Sequence, residues 1–263
     1  MKETPETNFL IHREPDHFPG LAAFWRFTEE SSDYTAEQGE PYVLTPSSNN
    51  IAVVADTESP FGGRALQIVE GGWLSCPRAD CPGLDIHGRD GQLTVMAWIK
   101  REPTKHGGCE FIAGQWNETN LGRQYGLFLN ISVWCERHQV TGHLSNVGGP
   151  TPGYKYCMDG PVGATPVACA EWSVVGMSYD GAHGYAWLNG RLDSRTGLNP
   201  YSMAGGLHDG GPNGSDFTVG AVDRSGEMGN FFQGRIAGLA VYRRALSPAE
   251  VFALSTTTLK VGG

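Results

Sequence analysis

The chain has 263 residues, 40% of them apolar and only 18% charged, with 37 glycines and 16 prolines. That length suffices for one large all-β domain with a sizeable core, and its glycine and proline content marks a turn-rich globular protein rather than a low-complexity one. The net charge of −9 argues against a nucleic-acid or anionic-membrane binder, whose affinity comes from Lys and Arg. No stretch approaches the roughly 18 consecutive apolar residues of a membrane span. The first residues, Met1 to Glu6, hold no apolar signal-peptide segment, which fits either an intracellular protein or one shown without its leader.

Residues 1–18 read as an irregular tail and 19–263 as one domain. Apolar and polar residues then alternate with a period of two, the mark of half-buried strands. The runs are Ala22–Thr28, Ala65–Val69, Gln92–Lys100, Phe111–Trp116, Tyr125–Trp134, Gln139–Ser145, Trp172–Tyr179, Gly184–Leu188, Asp216–Gly220 and Arg235–Tyr242. Asn189-Gly190 between two runs predicts a type I′ hairpin, whose central residues both need positive φ. Ser247-Pro248-Ala249-Glu250 predicts a capped helix start. Many short strands and one short helix give an all-β class, a two-sheet antiparallel jelly-roll sandwich with one short C-terminal helix.

Two connections, 146–170 and 193–215, exceed the roughly 12–15 residues of an ordinary loop. They carry Tyr154, Tyr156, Asn199, Tyr201 and His208, which suits a structured rim. The cysteines are Cys76, Cys81, Cys109, Cys135, Cys157 and Cys169. None forms a zinc spacing, and six allow 15 disulfide connectivities. Evenness and loop placement favour bridges, expected as Cys76–Cys81, Cys109–Cys135 and Cys157–Cys169; the alternative is free thiols in a cytosolic protein.

Motifs for a P-loop, a zinc protease, an EF-hand or a nucleophile elbow do not occur. The glycine-rich run Gly205–Gly211 neither follows a strand nor opens a helix, so no nucleotide cofactor is expected. A glycosidase needs paired carboxylates; Glu14-Pro15-Asp16 has two of the acids of one such motif but lies in the tail.

Several segments carry a family resemblance. Pro19–Phe27, Gly63-Arg64-Ala65-Leu66, Leu93–Lys100, Trp172 through Tyr179-Asp180-Gly181 to Leu188-Asn189-Gly190, and Phe232–Ser247 with Glu250 occur in this order. Together they resemble the strand markers of laminin-G-like domains in the concanavalin A-like lectin/glucanase superfamily. The resemblance covers about residues 19–255 and implies a jelly roll with a concave outer sheet face. It implies a carbohydrate partner and an extracellular or periplasmic location, but function only at superfamily level. It also raises calcium, with Asp180, Asp216 and Asp223 as candidate ligands, although Thr28 stands where relatives often have an acid.

Alternation assigns Tyr125, Leu127, Leu129, Ile131 and Val133 to the core face, with Val140 and Leu144 of the next strand. It turns Gln124, Gly126, Phe128, Asn130, Ser132, Trp134, Gln139, Thr141, His143 and Ser145 outward, with Glu110, Ile112, Gly114 and Trp116 from the preceding strand. Sugars need flat hydrogen-bonding groups and aromatic rings. The expected ligand set is therefore Trp116, Gln124, Asn130, Thr141, His143, Tyr154, Tyr156, Asn199, Tyr201 and His208. One reading is a carbohydrate-binding module for a polysaccharide or glycan, without catalysis. A second is a lyase acting on uronic-acid polymers, with His143 as base, Tyr154 or Tyr156 as proton partner and Arg123 on the substrate carboxylate. A third is a purely structural sandwich.

Overall fold

The computed structural model describes residues 14–104, 108–131 and 138–256. The alternating runs pair into two large antiparallel sheets. The ten-stranded sheet runs in the order Arg191–Leu192, His183–Leu188, Trp172–Tyr179, Leu93–Arg101, Gly234–Tyr242, Leu21–Arg26 and Gln38–Gly39. Ile51–Ala55, Arg64–Ile68 and Tyr201–Ser202 flank it. The eight-stranded sheet runs Val162–Pro166, Gln139–Leu144, Arg123–Leu129, Glu110–Trp116, Phe217–Val219, Leu74–Cys76, Val43–Pro46 and Tyr34–Thr35.

Three apolar layers result. Trp25, Ile99, Leu127, Val140, Val175, Phe217 and Leu239 fill the space between the sheets. Val251 and Leu254 of the helix Pro248–Thr256 pack with Trp98, Trp187 and Ala240 on the far side of the ten-stranded sheet. A third cluster, Phe111, Trp116, Phe128, Ile131, Cys157 and Val222, lies apart from both. It covers the outer face of the eight-stranded sheet, a face that would otherwise meet water.

The local signals behave as their chemistry requires. Asn189 and Gly190 have φ of 49° and 78°, as the primed turn demands. Ser247 and Glu250 form the reciprocal cap, the Glu250 N–H donating to Ser247 Oγ at 3.3 Å and the Ser247 N–H to the Glu250 carboxylate at 2.8 Å. Arg244 adds a two-pronged bond to the same carboxylate at 3.0 and 2.7 Å.

Other expectations are corrected. Residues 14–18 are not a loose tail: Phe18 is buried, and Tyr242 Oη donates to the Pro15 carbonyl at 2.9 Å. The run through Trp134 ends as a strand at Leu129. Asn130 takes a φ of 56° and breaks the alternation, so Ile131 joins the outer cluster; Ser132, Val133 and Trp134 lie outside the described residues. Irregular pairing between Leu127 and Phe128 shifts the strand before it, a β-bulge effect. Phe111 therefore faces outward, while Ile112 enters the core and Glu110 is fully buried.

Cys76, Cys81, Cys157 and Cys169 are free thiols, so the bridges Cys76–Cys81 and Cys157–Cys169 are not formed, although Cys76 and Cys81 do lie side by side in hydrogen-bond contact. The Cys81 thiol donates instead to the Pro77 carbonyl at 3.2 Å, the Cys157 thiol donates to the Leu144 carbonyl at 3.3 Å, and Cys169 Sγ accepts from Arg101. The expected Cys109–Cys135 pair falls outside the described residues at Cys135. Among the described residues no helix is long and apolar enough to cross a membrane.

A roofed cavity on the outer face of the eight-stranded sheet

Gly126 is where the site begins. It pairs with Gly114 on one side and His143 on the other, so two of three neighbouring outward positions have no side chain. Aromatic rings fill that space. A Cβ on Gly126 would lie 2.7 Å from the Phe128 ring and 3.0 Å from the Phe111 ring. Trp116 stacks on His143 with centroids 5.1 Å apart and planes at 27°. Phe128 meets both rings edge-on.

Arg123 reaches this platform because the register shifts between Arg123 and Tyr125. Strict alternation would send Arg123 to the core side with Tyr125; the bulge re-aims it. Its guanidinium carbon lies 5.9 Å from the Trp116 ring centre, within reach of a cation–π contact. Glu118 is its charge partner at 3.6 Å.

The long insertion forms the roof. Asp159 holds it at four points. Its carbonyl accepts from the Leu144 N–H at 3.0 Å and stands 3.4 Å from His143 Nδ1, while its carboxylate takes Tyr201 Oη at 2.8 Å and Thr151 Oγ1 at 2.5 Å. The insertion thereby brings Tyr156 and Cys157 over the rings. A cavity of about 300 Å³ remains, with Trp116, Arg123, Phe128, His143, Tyr156 and Arg224 among its walls.

Of the expected site residues, Trp116, Arg123, His143 and Tyr156 meet here. The others do not line this cavity. Gln124 is fully buried between Arg78 at 2.5 Å and Asp85 at 3.0 Å. Asn130 uses its amide on Gly108 and His138, and Thr141 is buried. Tyr154 is 61% exposed, outside the walls. Asn199 braces Ala186 and Asp193, and Tyr201 is tied to Asp159. His208 lies against Gly148 of the insertion. Sequence reasoning missed Glu118, Arg224 and Asn230. The turn of residues 223–229 reaches the site through a bond from the Glu118 N–H to the Asp223 carbonyl at 3.0 Å, a contact no local pattern announces.

The expected calcium ligands do not converge. Asp180 accepts from Ala182, His183 and Tyr185, Asp216 from Arg78, and Asp223 from Gly226 and Thr119. Asp85, His87 and Asp209 do come together. However, Arg78 already stands 2.6 Å from Asp85 and 3.5 Å from Asp209, supplying the positive charge a cation would bring.

His143 is a weak base. Burial holds its imidazole down to about 4, helped by the charge of Arg123 and opposed by the Asp159 carbonyl. An unfolded histidine titrates near ~6.5. Below that pH the unfolded chain binds a proton that the folded protein refuses. This contribution to stability is therefore whole above pH ~6.5 and falls until about pH 4, by roughly 3 kcal/mol. Urea unfolding at several pH values should show His143→Phe losing less stability than the parent over that window. Equal losses would contradict the assignment.

A family model described as the concanavalin A-like lectin/glucanases superfamily, of the laminin-G type, matches residues 79–252. The chain belongs to that superfamily. Among solved structures it is similar to domain 4 of AbnA, a GH43 extracellular arabinanase from Geobacillus stearothermophilus solved with arabinotriose. That likeness has 17% identity, covers 89% of this chain and 98% of that one, and has a TM-score of 0.56. The binding domain of Paraclostridial Mosquitocidal Protein 1 gives 12% identity, coverage of 90% and 52%, and a TM-score of 0.62. A Trypanosoma rangeli sialidase mutant displaying trans-sialidase activity gives 16% identity, coverage of 92% and 34%, and a TM-score of 0.59. The matched region is thus about half of the mosquitocidal chain and a third of the sialidase. No curated protein sequence matches the chain significantly.

Proposed function

We propose that this protein is a non-catalytic carbohydrate-binding module that takes a glycan in the cavity roofed by Tyr156. The observation that carries this reading is the wall itself. A ring platform of Trp116, His143 and Phe128 faces a half-exposed tyrosine, with charged and hydrogen-bonding groups beside it. Apolar sugar faces need such rings, and sugar hydroxyls need such donors and acceptors. The volume is at the small end of the ~300–1,000 Å³ typical of ligand pockets. The likeness to the arabinanase domain solved with arabinotriose and to the sialidase supports a carbohydrate partner, and the extracellular arabinanase supports a place outside the cell. The acidic net charge speaks against a nucleic-acid partner.

The lyase reading is weaker on chemical grounds. His143 is held in its neutral form but at about 4, far from the pKa near the operating pH that suits a general base. Tyr154 does not line the cavity, and among the described residues that do, Glu118 is the one carboxylate, so they offer no acid pair of the kind a glycosidase uses.

A glycan array, run beside an ultraviolet assay for unsaturated uronate ends, tests the reading. The expected result is binding with no new unsaturated ends. Tyr156→Ala should weaken binding about tenfold, ~1.4 kcal/mol, whereas Tyr154→Phe should leave it near the parent value. Unsaturated ends would favour the lyase. Full affinity in Tyr156→Ala would move the site elsewhere, first to the 199–208 loop.

A further inference from the structure

We propose that the cavity selects a sugar residue bearing a carboxylate, gripped by Arg123 with Arg224 as the second cation. This rests on the carbohydrate reading above and names the class of sugar.

The first observation is an unfinished guanidinium. Arg123 is only 7% exposed, and its Nε is buried without a hydrogen-bond partner. Its counter-charge, Glu118, stands at 3.6 Å, beyond the ~2.7–3.2 Å of a hydrogen bond. Its other neighbour is the face of Trp116. Buried donors are normally satisfied, and one left open at a cavity wall needs a reason.

The second observation is the charge around the cavity. Among the described residues, Arg123 and Arg224 both line it, against the single carboxylate of Glu118. Two further walls add no charge. His143 and Cys157 are neutral near pH 7, the latter because burial pushes its thiol up to about 11. The described walls are thus locally positive, in a molecule of net charge −9. A neutral sugar would leave this excess unanswered. A carboxylate presents two coplanar acceptors, which a planar guanidinium fork matches better than a lone hydroxyl does. The ring platform then takes the apolar face of the same sugar.

Calorimetry with three trisaccharides that differ only in the terminal residue tests this: glucuronate, glucose and sulfated glucose. The glucuronate form is expected to bind at least tenfold tighter than the glucose form, and tighter than the sulfated one. Arg224→Gln, at an exposed position, should cut the preference over glucose to about threefold or less. Arg123→Lys keeps the charge but loses the fork, and should do the same after its unfolding curve is checked. Equal binding of glucuronate and glucose overturns the inference and leaves the carbohydrate reading standing. Equal or tighter binding of the sulfated form overturns the choice of carboxylate. An undiminished preference in Arg224→Gln overturns the role of Arg224. If none of the three binds, the inference falls; if the glycan array is also blank, the proposed function falls with it.

Discussion

Replacing Glu110 by Ala is expected to destabilise the protein by about 3–5 kcal/mol, the cost of breaking a buried ion pair from one side. Arg101 and Glu110 are both almost completely buried. Arg101 Nε donates to the two Glu110 oxygens at 3.0 and 2.9 Å, and its Nη2 donates to the same carboxylate. The remaining guanidinium donors turn to Cys169 Sγ at 3.1 Å and His138 Nδ1 at 2.7 Å. Arg101 ends a strand of the ten-stranded sheet and Glu110 begins one of the eight-stranded sheet. The pair therefore ties the two layers beside the cavity. Without Glu110 the guanidinium stays buried with no countercharge among the described residues that contact it. A double replacement, Arg101→Met with Glu110→Leu, removes both charges and should recover most of the loss. Urea unfolding distinguishes these outcomes, and a loss under ~1 kcal/mol for Glu110→Ala would mean that water reaches the pair.

Gly160→Ala is expected to lift the roof. Gly160 has a φ of 146°, and a Cβ there would lie 1.7 Å from the Gly142 carbonyl oxygen and 3.1 Å from His143 Cα. Neither contact can be relieved by rotating a side chain, because both are backbone. The insertion must separate from the strand Gln139–Leu144, at about 2–4 kcal/mol for strain and overpacking together. Separation also breaks the Leu144–Asp159 bond and moves Tyr156 off the rings. Glycan affinity should therefore fall at least tenfold, alongside a lower urea midpoint. A variant with parental stability and affinity would show that the insertion is not anchored through Gly160.

The fold was legible because its signals are local. Alternation in Trp172–Tyr179, the Asn189-Gly190 turn and the Ser247–Glu250 cap each need only neighbouring residues, and each forms as expected. The short strands Tyr34–Thr35, Gln38–Gly39 and Val43–Pro46 were illegible, since two to four residues carry no period. The site was half legible. Alternation placed His143 and Trp116 outward, and the insertion that follows His143 does roof them. Bulges then defeated strict alternation, exchanging Ile112 for Phe111 and adding Arg123. Gln124 and Asn199 looked like free amides in sequence, but Gln124 is consumed by Arg78 and Asp85 far along the chain and Asn199 by the backbone of Ala186 and Asp193. Arg224 came from a turn 101 residues beyond Arg123, joined to the site by tertiary contact alone.

The most direct test is an NMR titration of the isotope-labelled protein with the tightest glycan from the array. Shift changes are expected to concentrate on the Trp116 indole, the Arg123 guanidinium, Gly126, His143 and Tyr156, with the helix Pro248–Thr256 silent. Changes confined to residues 199–208, or to the helix-covered face of the ten-stranded sheet, would contradict that placement.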